Sequence, residues 1–459
     1  MRLQIEKLVY GGDGLARMPA DGNGPGKAAF VPFVIPGEQI EASPVETRRG
    51  FVRARTERVL AASGERVDPA CPYFQRCGGC HYQHINYDAQ LRYKAEILQE
   101  TLRRTAKFDF GRNIQVHASE PWSYRNRSRV RTRHVPDFAL GYNRFNSHDL
   151  LPVEICPISS PLINQAIAAM RKLGGKGTVP RALHGLQFFS NGDNTTLLVE
   201  AYVSKDGTAS QRVTSSTRDP GSRGLSSVPA EFQRFAEALH GELPQAAGVV
   251  VLSMPPIEDE SRQPTSDTMF SEVLHVVGER ALLYHAAGHD YRVSGGSFFQ
   301  TNRFLTNTLI EVVLNGRKGC GAIDLYAGVG LFTAQLARNF DTVLAVEFSP
   351  HAFADLRQNV PSNVKCIRST TEEFLAERGA KLAPDLVVVD PPRAGLGEKT
   401  ARVLGRMTVP HVTYVSCDPA TLARDLRVLL EFNFRVEQVH LVDMFPQTFH
   451  LETVVHLAH

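Results

Sequence analysis

The last third of the chain alternates strand-like and helix-like segments, and this alternation constrains the fold more than any other feature. GAIDLYAG and TVLAVEF are typical of strands, and each precedes a segment whose apolar residues recur at helical spacing. Runs such as LVVVD are apolar throughout, as in strands that are covered on both faces of a parallel sheet. Residues 291–459 therefore predict a doubly wound, Rossmann-like α/β domain.

Glycines and a carboxylate stand at the ends of the first two of these strands, where such sheets bind ligands. Gly328 and Gly330 end the first strand and let the backbone approach a ligand closely. Glu347 ends the second, where its carboxylate can accept both ribose hydroxyls. Thr333 stands where the dinucleotide fingerprint has its third glycine. A nucleotide without pyrophosphate, S-adenosylmethionine, is therefore predicted, the alternative being an ordinary strand–helix turn.

A cysteine and a glutamate are the candidates for chemistry in this domain. Cys417 lies at a strand end just before a helix, so the positive end of the helix dipole is expected to lower its thiol pKa and make it a nucleophile. The alternative is a buried structural cysteine. Glu452, flanked by apolar residues in FHLETVV, is a candidate general base, or else a charge that simply faces solvent.

The first 290 residues predict two further domains. Residues 1–61 form short strand-like runs broken by Gly, Pro and Asp, which indicates a small, OB-like β-barrel. Residues 62–290 mix strands and helices, as in an α+β domain. Within them, residues 204–230 are rich in Ser, Thr, Gly, Arg and Asp and lack a hydrophobic period, which predicts a mobile insertion loop.

Seven cysteines in 459 residues are too few for a disulfide scaffold, and an odd number of cysteines also argues against one. Cys71, Cys77 and Cys80 cluster and offer three thiolates, and clustered cysteines in a reducing compartment more often mean metal or catalysis. Cys156 is the only other cysteine before the α/β domain and would complete the usual four ligands. Zinc and iron–sulfur centres both use four cysteines, and free thiols are the remaining alternative.

Arginines alternate strictly from residue 124 to 134. If this segment is a strand, one face carries five arginines: Arg125, Arg127, Arg129, Arg131 and Arg133. Like charges so close repel one another unless an anion lies between them, and an RNA phosphate backbone is the natural anion. The alternative is a solvated face balanced by acids elsewhere. No run of about 18 apolar residues and no signal-peptide core is present, so we expect a cytoplasmic protein without membrane contact.

Eight blocks of sequence together resemble the RNA uracil-5-methyltransferase family. The opening GGDGLAR…AFVPFVIPGE resembles a TRAM domain, a small RNA-binding barrel, and CPYFQRCGGCHYQH follows it. Six further motifs then stand in the family's order: SFFQTN, DLYAGVGLFT, LAVEFSP, DPPRAGL, YVSCDPATLARDL and FHLETVV. The resemblance spans nearly the whole chain, and residues 204–230 are the gap in it.

The resemblance implies an enzyme that moves a methyl group from S-adenosylmethionine to C5 of a uridine in RNA. Cys417 resembles the nucleophile that bonds to C6 of uracil, and Glu452 resembles the base that removes the C5 proton. Four positions resemble cofactor-site residues: Gln300, Tyr326, Glu347 and Asp390. Asp390 and Arg393 are also placed to orient the uracil edge. Where such enzymes often carry an acid that contacts adenine, this chain has Ser369, Thr370 and Thr371, and Glu372 is the substitute.

The resemblance also assigns the four N-terminal cysteines to a [4Fe-4S] cluster, and a monomer is expected. Within the family that cluster goes with ribosomal RNA, so 23S rRNA is the expected substrate and tRNA the alternative. Two other readings stay open. One is a non-catalytic RNA-binding iron–sulfur protein, and the other is an amino-group methyltransferase, because Asp-Pro-Pro-Arg at 390–393 resembles the motif of those enzymes.

Overall fold

The computed structural model describes residues 1–18, 26–111, 113–204, 229–254 and 270–459. They form two compact units. Unit 1 comprises Met1–Pro121, Phe145–Ser147 and Leu375–His459, and unit 2 comprises Trp122–Arg144 and His148–Phe374. The predicted insertion at 204–230 lies outside the described residues except at its two ends, and the three predicted domain boundaries stay predictions.

Unit 1 begins with a closed five-stranded barrel of strand order β1-β2-β3-β5-β4. Its strands are β1 (Arg2–Leu8), β2 (Asp13–Arg17), β3 (Ala28–Pro32), β4 (Gln39–Thr47) and β5 (Phe51–Ala61). Alternate side chains such as Leu3 and Ile5 fill the interior. A Cβ at Gly14 would lie 2.4 Å from a methyl carbon of Val34, so only glycine fits there. The predicted small N-terminal barrel is confirmed.

The cysteine segment and a helix follow the barrel. Helix α1 (Tyr87–Thr101) begins at Asn86, whose side chain accepts the N–H of Ala89, and it continues as a π-helical turn over Leu102–Ala106. The short strand β6 (Gln115–His117) comes next.

Unit 2 contains a seven-stranded sheet of order β13-β12-β11-β10-β7-β8-β9. Its strands are β7 (Arg127–Arg133), β8 (Ala139–Asn143), β9 (Leu150–Pro152), β10 (Leu183–Ser190), β11 (Leu197–Val203), β12 (Ala246–Ser253) and β13 (Val273–Gly278). The apolar sides of helices α2 (Pro161–Gly175) and α3 (Ala230–Glu242) form one core with this sheet. The predicted mixture of strands and helices is thus present.

The second part of unit 2 begins the predicted α/β alternation. The hairpin β14 (Ala281–Ala286) and β15 (His289–Ser294) leads into α4 (Thr306–Leu314). Three parallel strands follow in the order β18-β17-β16, namely β16 (Gly319–Leu325), β17 (Phe340–Glu347) and β18 (Val364–Arg368). The helices between and after them are α5 (Thr333–Leu336), α6 (Pro350–Asn359) and α7 (Thr371–Arg378).

Unit 1 ends with strands in the order β19-β20-β22-β21-β6. These are β19 (Leu386–Val389), β20 (His411–Ser416), β21 (Arg435–Val442) and β22 (Glu452–Ala458), with helices α8 (Gly397–Gly405) and α9 (Pro419–Leu430). β19 and β20 are parallel, and β22 runs antiparallel to β20. All four residues of β19 are buried, as their apolar run predicts. No described helix combines the length and apolar character that crossing a bilayer requires.

Candidate active site

Cys417, Asp390 and Glu452 come from three adjacent strands of unit 1. Asp390 directly follows β19, and Cys417 directly follows β20. Glu452 is the first residue of β22, whose next residue, Thr453, pairs with Ser416 at the end of β20. Because β22 runs opposite to β19 and β20, its beginning meets their ends. The predicted nucleophile, the predicted base and a second carboxylate therefore share one edge of the sheet.

The thiol of Cys417 is harder to ionise than the sequence suggested. Burial and, after it, the charges of Glu452 and Asp390 raise its pKa to about 12, while Arg393 opposes the shift. The predicted lowering of this pKa is wrong. The Asp418 carboxylate accepts the N–H groups of Ala420 at 2.9 Å and Thr421 at 3.0 Å, so the positive end of α9 already holds a negative charge next to the thiol.

The two carboxyl groups beside Cys417 also hold their protons more tightly than usual. Burial raises the pKa of Asp390 to about 7. Burial, and then the charge of Asp390, raises the pKa of Glu452 well above its usual range. Because each charge disfavours the other, the pair titrates as a unit and retains a proton near neutral pH. One member can accept a proton while the other donates a hydrogen bond, which is what acid–base chemistry requires.

A tyrosine of the barrel segment contacts the nucleophile's backbone. The Tyr10 hydroxyl, in the loop after β1, donates to the Cys417 carbonyl oxygen at 3.4 Å. Burial and the Asp418 carboxylate raise the pKa of Tyr10, so the phenol stays a donor. Its ring meets the Phe449 ring edge-on, with centroids 5.5 Å apart. No local sequence pattern points to Tyr10, because 407 positions separate it from Cys417.

The loop that leads into Glu452 is fastened to α1 by a buried ion pair. Lys94 and Asp443 both have fully buried side chains, and their charged atoms lie 2.6 Å apart. Lys94 also donates to the Phe445 carbonyl oxygen at 3.0 Å. The Gln90 amide exchanges hydrogen bonds with Gln447 at 3.0 Å. These bonds fix the backbone just before the predicted base. No local sequence pattern predicts them, because they join residues far apart in the chain.

In unit 2 a hydrogen bond joins the glycine loop after β16 to Glu347 at the end of β17. Gly328 and Gly330 have φ of 57° and 93°, and a Cβ at Gly330 would lie 2.8 Å from Leu356. The Glu347 carboxylate accepts the N–H of Gly328 at 2.7 Å and that of Ser349 at 2.6 Å. Burial raises the pKa of Glu347, and these backbone donors oppose the shift. A carboxylate has about four acceptor positions, so some are left for ribose hydroxyls.

Tyr326 and Glu372 are joined in unit 2 by a hydrogen bond. The Tyr326 hydroxyl donates to the Glu372 carboxylate at 3.0 Å. Glu372 lies in the first turn of α7, directly after β18, where the sequence offered it as the substitute acid. Gln300 is buried in the segment between β15 and α4 of the same unit. Asp390 lies in unit 1, beside Cys417 and Glu452.

The cysteine segment shows tight turns. The Phe74 N–H donates to the Cys71 carbonyl at 3.1 Å, and the Cys77 N–H donates to the Tyr73 carbonyl at 2.8 Å. Cys80 is buried, and Cys156 belongs to unit 2. Across the described ranges, no group of three or more His, Cys, Asp or Glu side chains is placed to hold a metal ion. The structure therefore gives the predicted cluster no support.

The arginine-rich segment is a strand from Arg127 to Arg133, as the alternation predicts, but Arg125 lies before it and makes isolated β-bridges with Ser159 and Asn302. In β7, Ser128 and Val130 point inward and are buried, whereas Arg129, Arg131 and Arg133 are exposed. Arg127 lies on the arginine face and is largely buried, because it pairs with Glu200 at 2.8 Å.

Comparison with known proteins agrees with this geometry. A family model described as tRNA (uracil-5-)-methyltransferase matches residues 270–459. An uncharacterised RNA methyltransferase of Halalkalibacterium halodurans is 30% identical over 99% of this chain and 96% of its own length. One of Aquifex aeolicus is 29% identical over 99% of this chain and 97% of its own.

The fold also has a solved counterpart. The crystal structure of Pyrococcus abyssi tRNA (uracil-54, C5)-methyltransferase, in complex with S-adenosyl-L-homocysteine, covers 100% of both chains with a TM-score of 0.71 at 22% identity. At that identity the likeness shows the fold alone. The full-length relative at 30% identity and the matching family model show that this chain belongs to the S-adenosylmethionine-dependent RNA (uracil-5-)-methyltransferase family.

Proposed function

We propose that the protein methylates C5 of a specific uridine in RNA through a covalent bond between Cys417 and C6 of uracil. The observation that carries the proposal is the meeting of Cys417, Asp390 and Glu452 at the ends of three adjacent strands. S-adenosylmethionine supplies an electrophilic methyl group on a sulfonium. Glu347, Gly328, Gly330, Tyr326 and Gln300 are the residues we propose to hold it.

The steps follow from the chemistry of uracil, whose C5 is a poor nucleophile. Cys417 first loses its proton to water. The thiolate adds to C6, and the electron pair displaced toward C5 forms an enolate. C5 then attacks the sulfonium methyl, and the electrons of the broken bond stay on sulfur. Glu452 removes the C5 proton, the bond from C6 to Cys417 breaks, and one proton is released per methyl group transferred.

We assign Asp390 and Arg393 to the uracil edge. Asp390 is the carboxylate whose charge acts on Cys417 and Glu452, and the Arg393 charge favours the thiolate. A neutral Asp390 would donate to a uracil carbonyl oxygen, and Arg393 would stabilise the charge of the enolate. The further role of Asp390 in holding the cofactor, which the resemblance implies, stays a prediction.

Covalent trapping tests the mechanism. With 5-fluorouridine RNA and S-adenosylmethionine, the wild type should form an adduct that survives denaturation, because no C5 proton can be removed. Cys417→Ala should form none, while Cys320→Ala, a change of an exposed cysteine outside the site, should match the wild type. Glu452→Gln should accumulate the methylated adduct on ordinary RNA. An adduct with Cys417→Ala, or none with the wild type, would contradict the mechanism, and the second outcome would favour an amino-group methyltransferase.

For the substrate we propose 23S rRNA, because the four-cysteine pattern goes with ribosomal targets in the family that the sequence resembles. tRNA is the second candidate, since the matching family model and the Pyrococcus abyssi structure both name it. We propose that the N-terminal barrel is a TRAM domain that contacts this RNA. Mapping 5-methyluridine in cells that lack the protein decides: a missing site in 23S rRNA is expected, and a loss confined to tRNA would overturn the assignment.

The [4Fe-4S] cluster at Cys71, Cys77, Cys80 and Cys156 stays a prediction of the resemblance, and no step above depends on it. Iron and acid-labile sulfide measured on protein purified without oxygen test it. About four of each per chain are expected for one cluster, and zinc or no metal would refute it.

A further inference from the structure

Unit 2 contains a cavity of about 500 Å³ on the arginine face of its large sheet. This is a volume typical of sites for small organic ligands. Arg129 on β7 pairs across the sheet with Gln187 on β10, which pairs in turn with Glu200 on β11. All three side chains line the cavity, and Phe298 stands on its wall with 64% of its surface exposed.

Arg127 lines the same cavity with unused hydrogen-bonding capacity. Its side chain is 9% exposed, and one terminal nitrogen donates to Glu200 at 2.8 Å. The other terminal nitrogen is buried and has no hydrogen-bond partner in the described part of the chain. A buried donor without a partner costs stability, and an acceptor supplied by a ligand would remove that cost.

Glu200 holds this arrangement in place. Its carboxylate is 1% exposed and accepts from four groups: Arg127, the Gln187 amide at 2.6 Å, the Tyr202 hydroxyl at 2.6 Å and the Gly296 N–H at 3.2 Å. Burial and the Glu200 charge raise the pKa of Tyr202, so its hydroxyl stays a donor. With its acceptor positions used, Glu200 orients the wall of the cavity and does not itself repel an anion strongly.

A flat surface for stacking lies beside these charges. The Arg129 guanidinium stands over the Tyr202 ring, 4.2 Å from its centroid. Arg129 is exposed and makes no ion pair with a described acidic residue. Nucleobases stack on guanidinium planes and aromatic rings, and single-stranded RNA is bound in this way. Three guanidinium groups, those of Arg125, Arg127 and Arg129, line the cavity against one carboxylate.

We propose that this cavity binds one splayed-out nucleotide of the RNA substrate, different from the uridine that is methylated. Its base stacks on Arg129 over Tyr202, and its phosphate is bound by Arg127. The proposal rests on the proposed function, because RNA is the ligand. It adds a second recognition site, so that the enzyme reads a base at a fixed distance along the RNA from its target.

Arg129→Ala and Arg133→Ala form a matched pair of variants. Both side chains are exposed and lie on the same face of β7, but only Arg129 lines the cavity. Binding of a fragment that carries the mapped target uridine is measured by fluorescence anisotropy, with S-adenosylhomocysteine present. The same is done with fragments in which one flanking position at a time is abasic.

The two variants should respond differently to the loss of a base. Arg133→Ala should weaken binding of every fragment alike, as a lost phosphate contact does. Arg129→Ala should weaken binding of the intact fragment by about tenfold or more, and this loss should shrink to the Arg133→Ala level for one abasic fragment. Equal losses on all fragments would overturn the proposal and leave Arg129 as a phosphate contact only.

Methyl transfer measured with the same proteins separates the two proposals. If the wild type methylates the RNA and the two variants behave alike, the cavity is not a nucleotide site and the proposed function stands. If Cys417→Ala methylates the fragment as well as the wild type does, while Arg129→Ala shows its base-dependent loss of binding, the proposed covalent function fails and the cavity remains a nucleotide site.

Discussion

Alkylation of Cys417 should keep accelerating with pH well beyond the point where an ordinary thiol levels off. Only the thiolate reacts, and burial together with the neighbouring carboxyl groups raises the pKa of Cys417 to about 12. At pH 8 the ionised fraction is then about one in ten thousand, against about one in four for a thiol of ordinary pKa near 8.5. Each unit of pH below the pKa should raise the rate about tenfold.

Peptide-resolved mass spectrometry makes this measurable in the intact protein. The protein is treated briefly with iodoacetamide between pH 7 and 10 and then digested, and the modified fraction of the Cys417 peptide is followed. The peptide of Cys320, an exposed cysteine, is the comparison within each sample. Protein unfolded in urea should give the ordinary thiol profile at Cys417. A plateau at or below pH 9 in the folded protein would refute the electrostatic account.

Two substitutions test the named causes separately. Asp418→Asn keeps a residue that caps helices about as well, so stability should change by less than about 1 kcal/mol, while the lost charge lowers the thiol pKa and speeds alkylation at pH 8. Arg393→Gln removes the charge that favours the thiolate, so alkylation should slow. A change of the opposite sign in either variant would contradict the assigned cause.

Three further predictions concern the residues around the site. Lys94→Met removes the cation that balances the buried Asp443 charge, although Asp443 still accepts from the Tyr87 hydroxyl, and should cost about 3–5 kcal/mol in urea unfolding; Lys94→Met with Asp443→Leu should recover most of it, and no loss would show that the pair is dispensable. Tyr10→Phe removes one long hydrogen bond, worth about 0.5–1 kcal/mol, so kcat should fall about two- to fivefold with RNA affinity unchanged; lost affinity alone would make Tyr10 an RNA contact. Glu347→Gln should weaken the binding of S-adenosylhomocysteine about 10- to 100-fold in calorimetry. Glu373→Gln, which changes an exposed glutamate in α7, should leave this binding unchanged.

Features with a local period or a fixed place on the chain could be predicted from the sequence. The arginines of β7 alternate because a strand repeats every two residues. The positions of Gly328, Glu347 and Cys417 at strand ends could be predicted, because an apolar run marks where each strand stops. Both kinds of evidence are contained within about ten neighbouring residues.

Contacts between distant parts of the chain could not be predicted in this way. Lys94 and Asp443 are 349 positions apart, and nothing in α1 distinguishes this lysine from a solvated one. The thiol pKa is a different case, because burial and the charges of Glu452 and Asp390, its larger causes, depend on the fold, whereas the smaller effect of Asp418 was visible in the sequence. Asp418 before Pro419 is a typical helix start, with a capping carboxylate and proline in the first turn. The cap supplies a negative charge at the same place as the positive helix end, from which a lowered pKa was predicted.

Burial raises the pKa values of both Cys417 and Glu452, and the Glu452 charge raises that of Cys417 as well, which orders the proposed steps. Each charge disfavours the other, so Glu452 keeps its proton while Cys417 is a thiolate. Bond formation to C6 turns the thiolate into a neutral thioether, and Glu452 then loses its proton more easily, at the stage where it must accept one from C5. Taking that proton makes Glu452 neutral again, which favours departure of the thiolate. In the Glu452→Gln variant, Cys417 should therefore be alkylated faster, and yet the enzyme should fail to turn over. Slower alkylation of Cys417 in this variant would contradict this order of steps, because it would show that Glu452 assists the ionisation of the thiol instead of opposing it.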